Sequence, residues 1–241
     1  SGMITGSVVY WFLGSFLGLS ARQMFACAGL ITLPIAAVIL WLTVIDAIRV
    51  LFGWVARHVY RFRVVGLENI PAEGGAIVVS NHISWLDGML IMLAMPRRIR
   101  MIAHAKYISA PLIRSLAKRA GVIAIVPGSK SLVHGVRQAR EALQNGELVG
   151  IFPEGGMTRT GQMRGFQPGF LKIARGLDVP VIPVYIDGVW GSIFSYSGGR
   201  YFWKWPRLRR LQVTLYIGEP LRHVQRPWEA QLAVSLLAAK A

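Results

Sequence analysis

From residue 61 onward the sequence predicts an α/β fold, a mainly parallel central sheet of about seven strands covered by helices. Ahead of it stands an N-terminal hydrophobic helical membrane anchor. Three observations carry this expectation. Short β-branched apolar runs bounded by turn residues recur along the last three quarters of the chain, and several are separated by helical patterns. Two long uncharged runs occupy the first 45 residues. The composition is 54% hydrophobic and only 16% charged, against roughly 45–50% and 25% for an ordinary soluble domain.

The expected elements follow in chain order. Met3 to Ala21 is uncharged but diluted by Gly6, Gly14 and Gly18. Met24 to Ile45 is a second uncharged run, of a length that spans the hydrocarbon core as a helix. Pro34 inside it predicts a kink. Arg49, Trp54, Arg57, His58, Tyr60, Arg61 and Arg63 form a basic, aromatic junction, the pattern of a membrane interface on the cytoplasmic side. Strands are expected at Arg61–Val65, Ala76–Ser80, Ile99–Ala103, Val122–Val126, Leu148–Phe152, Val181–Ile186 and Leu211–Ile217. Helices are expected at Trp85–Ala94, Pro111–Ala120, Lys130–Gln144, Gly169–Arg175 and Trp228–Ala239. The chain therefore divides into membrane-embedded helices with their junction, residues 1–60, and an α/β domain, residues 61–241.

Charge narrows the partners. Twenty-seven Lys and Arg against eleven Asp and Glu leave a net charge of +16, which calls for an anionic partner. Nucleic acid is the poorer candidate, because long uncharged runs have no use in a nucleic-acid binder. An anionic lipid surface suits both the charge and the hydrophobicity. The single cysteine, Cys27, excludes an internal disulfide.

Two loops hold the groups that could do chemistry. Ser80-Asn81-His82-Ile83-Ser84-Trp85-Leu86-Asp87-Gly88 follows an expected strand and opens a helix. A base that deprotonates a hydroxyl needs a neutral imidazole with one nitrogen free, and an acceptor that holds the other nitrogen's proton. His82 and Asp87 provide both if the turn folds Asp87 back onto the ring. Asn81 is placed to hold the turn or to polarise a substrate. The second loop, Ile151-Phe152-Pro153-Glu154-Gly155-Gly156-Met157-Thr158-Arg159-Thr160-Gly161, leaves another strand. Glycines such as Gly155 and Gly156 admit backbone N–H groups to an anion, and Arg159 can pair with phosphate. Arg164 is a second cation and Thr158 a further substrate-binding candidate. Glu154 is placed either to bind a hydroxyl or amine of the ligand or to hold this loop. Neither a G-x-S-x-G nucleophile elbow nor a G-x4-G-K-[ST] phosphate loop occurs in the chain. A non-catalytic basic module that binds membrane lipid is the rival reading.

N-H-x4-D, then F-P-E-G, then Val179-Pro180-Val181-Ile182-Pro183-Val184, in this order and spacing, resemble the glycerolipid (lysophospholipid) acyltransferase family over roughly residues 61–220. The resemblance implies a general base at His82 oriented by Asp87, and glycerol-phosphate binding at Glu154 and Gly155. It implies a lysophospholipid acceptor and an acyl thioester donor, acyl carrier protein or coenzyme A, with no metal and no cofactor. Two segments depart from the family pattern. Pro127 stands where an Arg is expected after a Gly-led strand, and the later motif reads F-P-E-G-G-M-T-R-T-G. Both, with Trp190–Gly199, resemble the branch that acylates lysophosphatidylethanolamine. In that branch the acyltransferase is often fused behind a transporter and ahead of an acyl-carrier-protein ligase, and residues 3–45 look like the last membrane segments of such a transporter. The acceptor expected first is therefore lysophosphatidylethanolamine, with lysophosphatidic acid as the alternative, at the inner (cytoplasmic) membrane. The basic, aromatic stretch Arg200–Arg210 suits a lipid interface. Arg97, Arg98, Arg100, Lys106, Arg114, Lys118 and Arg119 are expected to extend that surface or to dock an acidic carrier protein.

Overall fold

The structure is a computed structural model that describes residues 18, 20–58, 60–126, 128, 130–202 and 211–241. The uncharged run Met3–Ala21, Pro127 and most of the Arg200–Arg210 stretch lie outside, or largely outside, the described residues. Two compact units are separated, Ser1–Val50 and Leu51–Ala241.

Helix α1 covers Ala21–His58 and carries Pro34 within it. The uncharged run Met24–Ile45 and much of the basic, aromatic junction are therefore continuous helix. Ala21–Leu40 is long and apolar enough to cross a membrane, with a mean hydropathy of 2.1.

Seven strands make one sheet among the described residues: β1 (Tyr60–Val65), β2 (Ala76–Ser80), β3 (Ile99–His104), β4 (Ile123–Ile125), β5 (Leu148–Ile151), β6 (Val181–Asp187) and β7 (Leu211–Ile217). Their order is β1-β7-β6-β2-β5-β3-β4. All neighbours pair parallel except β6 and β7, so β1 and β7 run against the other five. The helices are α2 (Asp87–Ala94), α3 (Pro111–Arg119), α4 (Lys130–Gln144), α5 (Gly169–Ala174) and α6 (Pro227–Lys240).

The apolar runs are continuous because both sheet faces are covered. All five residues of β2 are buried, and they alternate between two cores. Ala76 and Val78 join Leu90 and Ile91 of α2, Met101, Ile182 and Val184 on one face. Ile77 and Val79 join Ala139 and Leu143 of α4, Phe170 and Ile173 of α5, and Ala230 and Val234 of α6 on the other. Each fully buried Val, Ile, Leu or Phe contributes about 1.5–3 kcal/mol, so a one-residue register slip in β2 exchanges two filled cores and is strongly disfavoured.

This topology places the site. Strand β2 passes into α2 on the first face and on to β3, one strand beyond β5. Strand β5 passes into α5 on the second face and on to β6, one strand beyond β2 in the opposite direction. Adjacent parallel strands whose connections depart to opposite sides open a crevice at their carboxyl ends. The His82 loop and the Glu154 loop are the two segments that leave β2 and β5 there.

Candidate active site

The β2–α2 turn folds Asp87 back onto His82, the condition on which the pair depends. His82 Nδ1 lies 2.9 Å from Asp87 Oδ2. The same oxygen accepts from the backbone N–H of Ile83 at 2.6 Å and of Ser84 at 2.8 Å, and Ser84 Oγ donates to Oδ1 at 2.6 Å. Asp87 and Ser84 have no exposed surface. A carboxylate that receives four hydrogen bonds is an acceptor only, so the ring presents Nδ1–H to it and carries its lone pair on Nε2. His82 keeps 20% of its side chain exposed. Phe152 stacks on the imidazole with centroids 4.0 Å apart and planes 10° from parallel. The ring is thus fixed in plane by Phe152 and in rotation by Asp87, with Nε2 left as a proton acceptor.

Glu154 ties the two loops together. Its Oε1 accepts from the backbone N–H of His82 and its Oε2 from that of Arg164, both at 2.7 Å. With 2% exposure, it occupies the loop-holding place of the two that its position allowed. Burial pushes its carboxyl above the usual carboxylate range, although the two amide hydrogen bonds pull the other way. A second tie joins the loops where Thr158 N–H donates to the His82 carbonyl at 2.8 Å.

Glutamine in place of Glu154 sets an NH2 group against one of two backbone donors, and neither donor can turn away. Glu154→Gln is therefore expected to cost about 1–3 kcal/mol and to lower activity by loosening both loops. The cost also depends on pH. A carboxyl whose folded pKa is raised contributes stability that is complete below its unfolded pKa, near 4.3. That contribution is lost as pH rises through the folded value. Glutamine does not titrate, so the stability gap between wild type and Glu154→Gln shrinks over that interval, and denaturant titrations across it check the sign.

Asn81 holds the turn. Its Nδ2 donates to the Ile186 carbonyl at 3.0 Å and its Oδ1 accepts from Ile186 N–H at 2.7 Å, a side chain that extends the β2–β6 ladder by one step. Gly155 has φ of 71°, and a Cβ there would meet nothing closer than 4.0 Å. Conformation rather than space selects glycine at this position. The Gly156 Cβ position lies 3.4 Å from Arg164 Nη1, so that guanidinium lies beside Gly156. Exposed Arg159 lies over the Tyr196 ring, 5.4 Å from its centroid. Thr158 is buried, with its hydroxyl 3.4 Å from that of Thr160 and accepting from Thr160 N–H. His82, Asp87, Glu154, Gly156 and Arg164 are thus joined through direct contacts.

The seven cations grouped in sequence do not share one surface. Arg97, Arg98 and Arg100 lie at the amino end of β3, where Arg97 donates to the carbonyls of Gly146 and Gly74, and Arg98 and Arg100 face Glu147 at 3.5 Å. Lys106 follows the carboxyl end of that strand. Two functional contacts escape the sequence reading. Phe152 as a stacking platform leaves no signal beyond its motif, whereas Ser84, three residues before Asp87, has the spacing of a local hydroxyl–carboxylate pair. A cleft of about 270 Å³ bounded by Leu177, Val179, Arg222 and His223 lies by the amino end of β6 and shares no residue with the constellation. Among the described residues no three His, Cys, Asp or Glu gather as metal ligands.

Fold and site together define an open α/β protein with an oriented imidazole base at the carboxyl edge of its sheet, beside a glycine–arginine loop suited to an anion. Residues 61–187, over half the chain, match the Acyltransferase family, and the chain belongs to it. It is 29% identical over 169 residues to the 1-acyl-sn-glycerol-3-phosphate acyltransferase of Borreliella burgdorferi, an alignment covering 68% of each protein. It is 28% identical over 163 residues to the Bacillus subtilis enzyme of the same name, covering 66% of this chain and 73% of that one. The chain spans only 36% of the chloroplastic Arabidopsis thaliana enzyme, at 29% identity over 54% of its own length. The crystal structure of the 1-acyl-sn-glycerophosphate acyltransferase PlsC from Thermotoga maritima superposes with a TM-score of 0.57 at 26% identity, covering 74% of this chain and 71% of that one.

Proposed function

We propose that this chain moves a fatty acyl group from an acyl thioester to the free hydroxyl of a lysophospholipid, with lysophosphatidic acid as the acceptor. The observation that carries the reading is the buried Asp87 carboxylate that fixes His82 with Nε2 free, beside the Glu154–Arg164 loop. Nε2 takes the hydroxyl proton as the glycerol oxygen attacks the thioester carbonyl. Asp87 stabilises the imidazolium that forms. The tetrahedral intermediate collapses to ester and thiolate, and His82 returns its proton to the sulfur. Arg159 and Arg164 supply cations for the acceptor's phosphate. Acyl carrier protein or coenzyme A carries the acyl group, and the site works at the cytoplasmic face of the membrane.

The activities for which the relatives are named favour lysophosphatidic acid over lysophosphatidylethanolamine, which the sequence places first. The lysophosphatidylethanolamine reading, with its fusion to a transporter and a ligase, keeps three features of the sequence in its favour: Pro127, the G-G-M-T-R-T-G form of the loop and the Trp190–Gly199 stretch. Purified protein in detergent, offered both acceptors with both donors, separates them. Faster transfer to lysophosphatidic acid is the expected result. Faster transfer to lysophosphatidylethanolamine moves the assignment to that branch, and no transfer to either ends the acyltransferase reading.

A further inference from the structure

Three segments far apart in sequence bring aromatic side chains together at the carboxyl edge of the sheet. Trp85 comes from the His82 turn, Tyr107 from the short 3-10 turn after β3, and Tyr201 and Phe202 from the segment after β6. Trp85 meets Tyr107 edge to face at 4.9 Å, Tyr201 at 6.2 Å and Phe202 at 5.9 Å. These rings are not core. Trp85 is 36% exposed, Tyr107 51% and Phe202 50%.

Phe202 also holds a left-handed backbone with φ of 62°, fixed by its N–H on the Ile193 carbonyl at 2.8 Å. A bulky residue adopts that region at a cost, and here the cost keeps a phenyl ring in solvent. The next exposed apolar side chains, Ile113 and Val133, stand in the first turns of α3 and α4. Those helices are entered from the carboxyl ends of β3 and β4, on the same edge of the sheet.

Charge around this rim has one sign. No Asp or Glu occurs between Gly88 and Arg140, a stretch with ten Lys and Arg, and none between Gly188 and Gly218. Lys106, Arg114, Arg159 and Arg200 are exposed on the segments that carry or adjoin the rings. The carboxylates nearest in sequence on this edge are Asp87 and Glu154, both buried, and half-buried Asp187. Amphipathic rings rimmed by cations match the headgroup layer of an anionic bilayer, where ring faces meet acyl carbons and cations meet phosphates.

We propose that Trp85, Tyr107 and Phe202 form a seat that inserts into an anionic phospholipid surface and opens the His82 crevice directly onto it. The seat deepens the lysophospholipid reading, since an acceptor could then reach Nε2 without leaving the lipid layer. It is a contact of the α/β unit itself, additional to any membrane segment in α1.

The test places an environment-sensitive fluorophore on a single cysteine in the full chain with Cys27→Ser, at Tyr107→Cys, at Phe202→Cys, and at Ala72→Cys as the control. Ala72 is exposed on the loop entering the amino end of β2. The protein is reconstituted in vesicles of phosphatidylethanolamine and phosphatidylglycerol that contain a nitroxide-bearing lipid. Blue-shifted emission and contact quenching at positions 107 and 202, with neither at 72, are expected. Equal quenching at all three positions, or none at 107 and 202, overturns the seat. Protection of 107 and 202 by an acidic carrier protein without lipid quenching also overturns it, in favour of a protein partner. Insertion is read without turnover, so failure of the seat is separable from failure of acyl transfer, which the detergent assay measures.

Discussion

His82→Ala is expected to reduce acyl transfer by at least about 100-fold, the scale of a lost general base. The fold should survive. Asp87 keeps the amides of Ile83 and Ser84 and the Ser84 hydroxyl when the ring is removed. One charge-assisted hydrogen bond is lost, costing about 1.5–3 kcal/mol, together with the stacking of Phe152 on the ring. A melting temperature lowered by several degrees beside a collapsed kcat is the predicted signature. Loss confined to KM would mean that His82 binds substrate rather than moving its proton.

Asp87 separates charge from geometry. In Asp87→Asn the amide oxygen takes the place of Oδ2 and keeps the ring and both backbone donors. The NH2 group takes the place of Oδ1, and the Ser84 hydroxyl turns from donor to acceptor. The fold and the imidazole tautomer are therefore retained, while the negative charge behind the forming imidazolium is gone. Activity should fall by about 100-fold or more, with stability lower by about 1–3 kcal/mol, because the buried Ser84 O–H loses its acceptor. Asp87→Ala strands two buried amides and a buried hydroxyl, each costing about 1–3 kcal/mol, and is expected to unfold far more readily. A stable Asp87→Asn protein with full activity would show that the carboxylate serves the turn alone.

The inner strands β2, β5 and β6 were legible in the sequence because both faces of the sheet are covered there, and each therefore announces itself as an apolar run. Expected and observed strands agree within a residue or so at each end. The order β1-β7-β6-β2-β5-β3-β4 was not legible, since nothing in a strand's own residues names its neighbours. The His82–Asp87 pair was legible through the set of motifs it shares with the family, the two residues alone being a weak signal.

The role of Glu154 was open at the sequence level. Its partners are backbone amides at positions 82 and 164, and a main-chain donor has no residue type to recognise. The aromatic seat was hidden for a related reason: residues 85, 107 and 202 meet only after β2, β3 and β6 lie in one sheet. The seven basic residues from Arg97 to Arg119 misled in the opposite sense. Strand β3 runs between Arg100 and Lys106, so neighbours in sequence reach opposite edges of the sheet.

The central claim is direct transfer from thioester to hydroxyl, with His82 as base and no acyl group held on the protein. Thiol release from an acyl thioester by the wild-type chain tests it, followed with and without lysophosphatidic acid. The account predicts release only when the acceptor is present, in step with diacyl product, and no acyl label on the protein. Release without acceptor, or a labelled protein that forms before product, would contradict it.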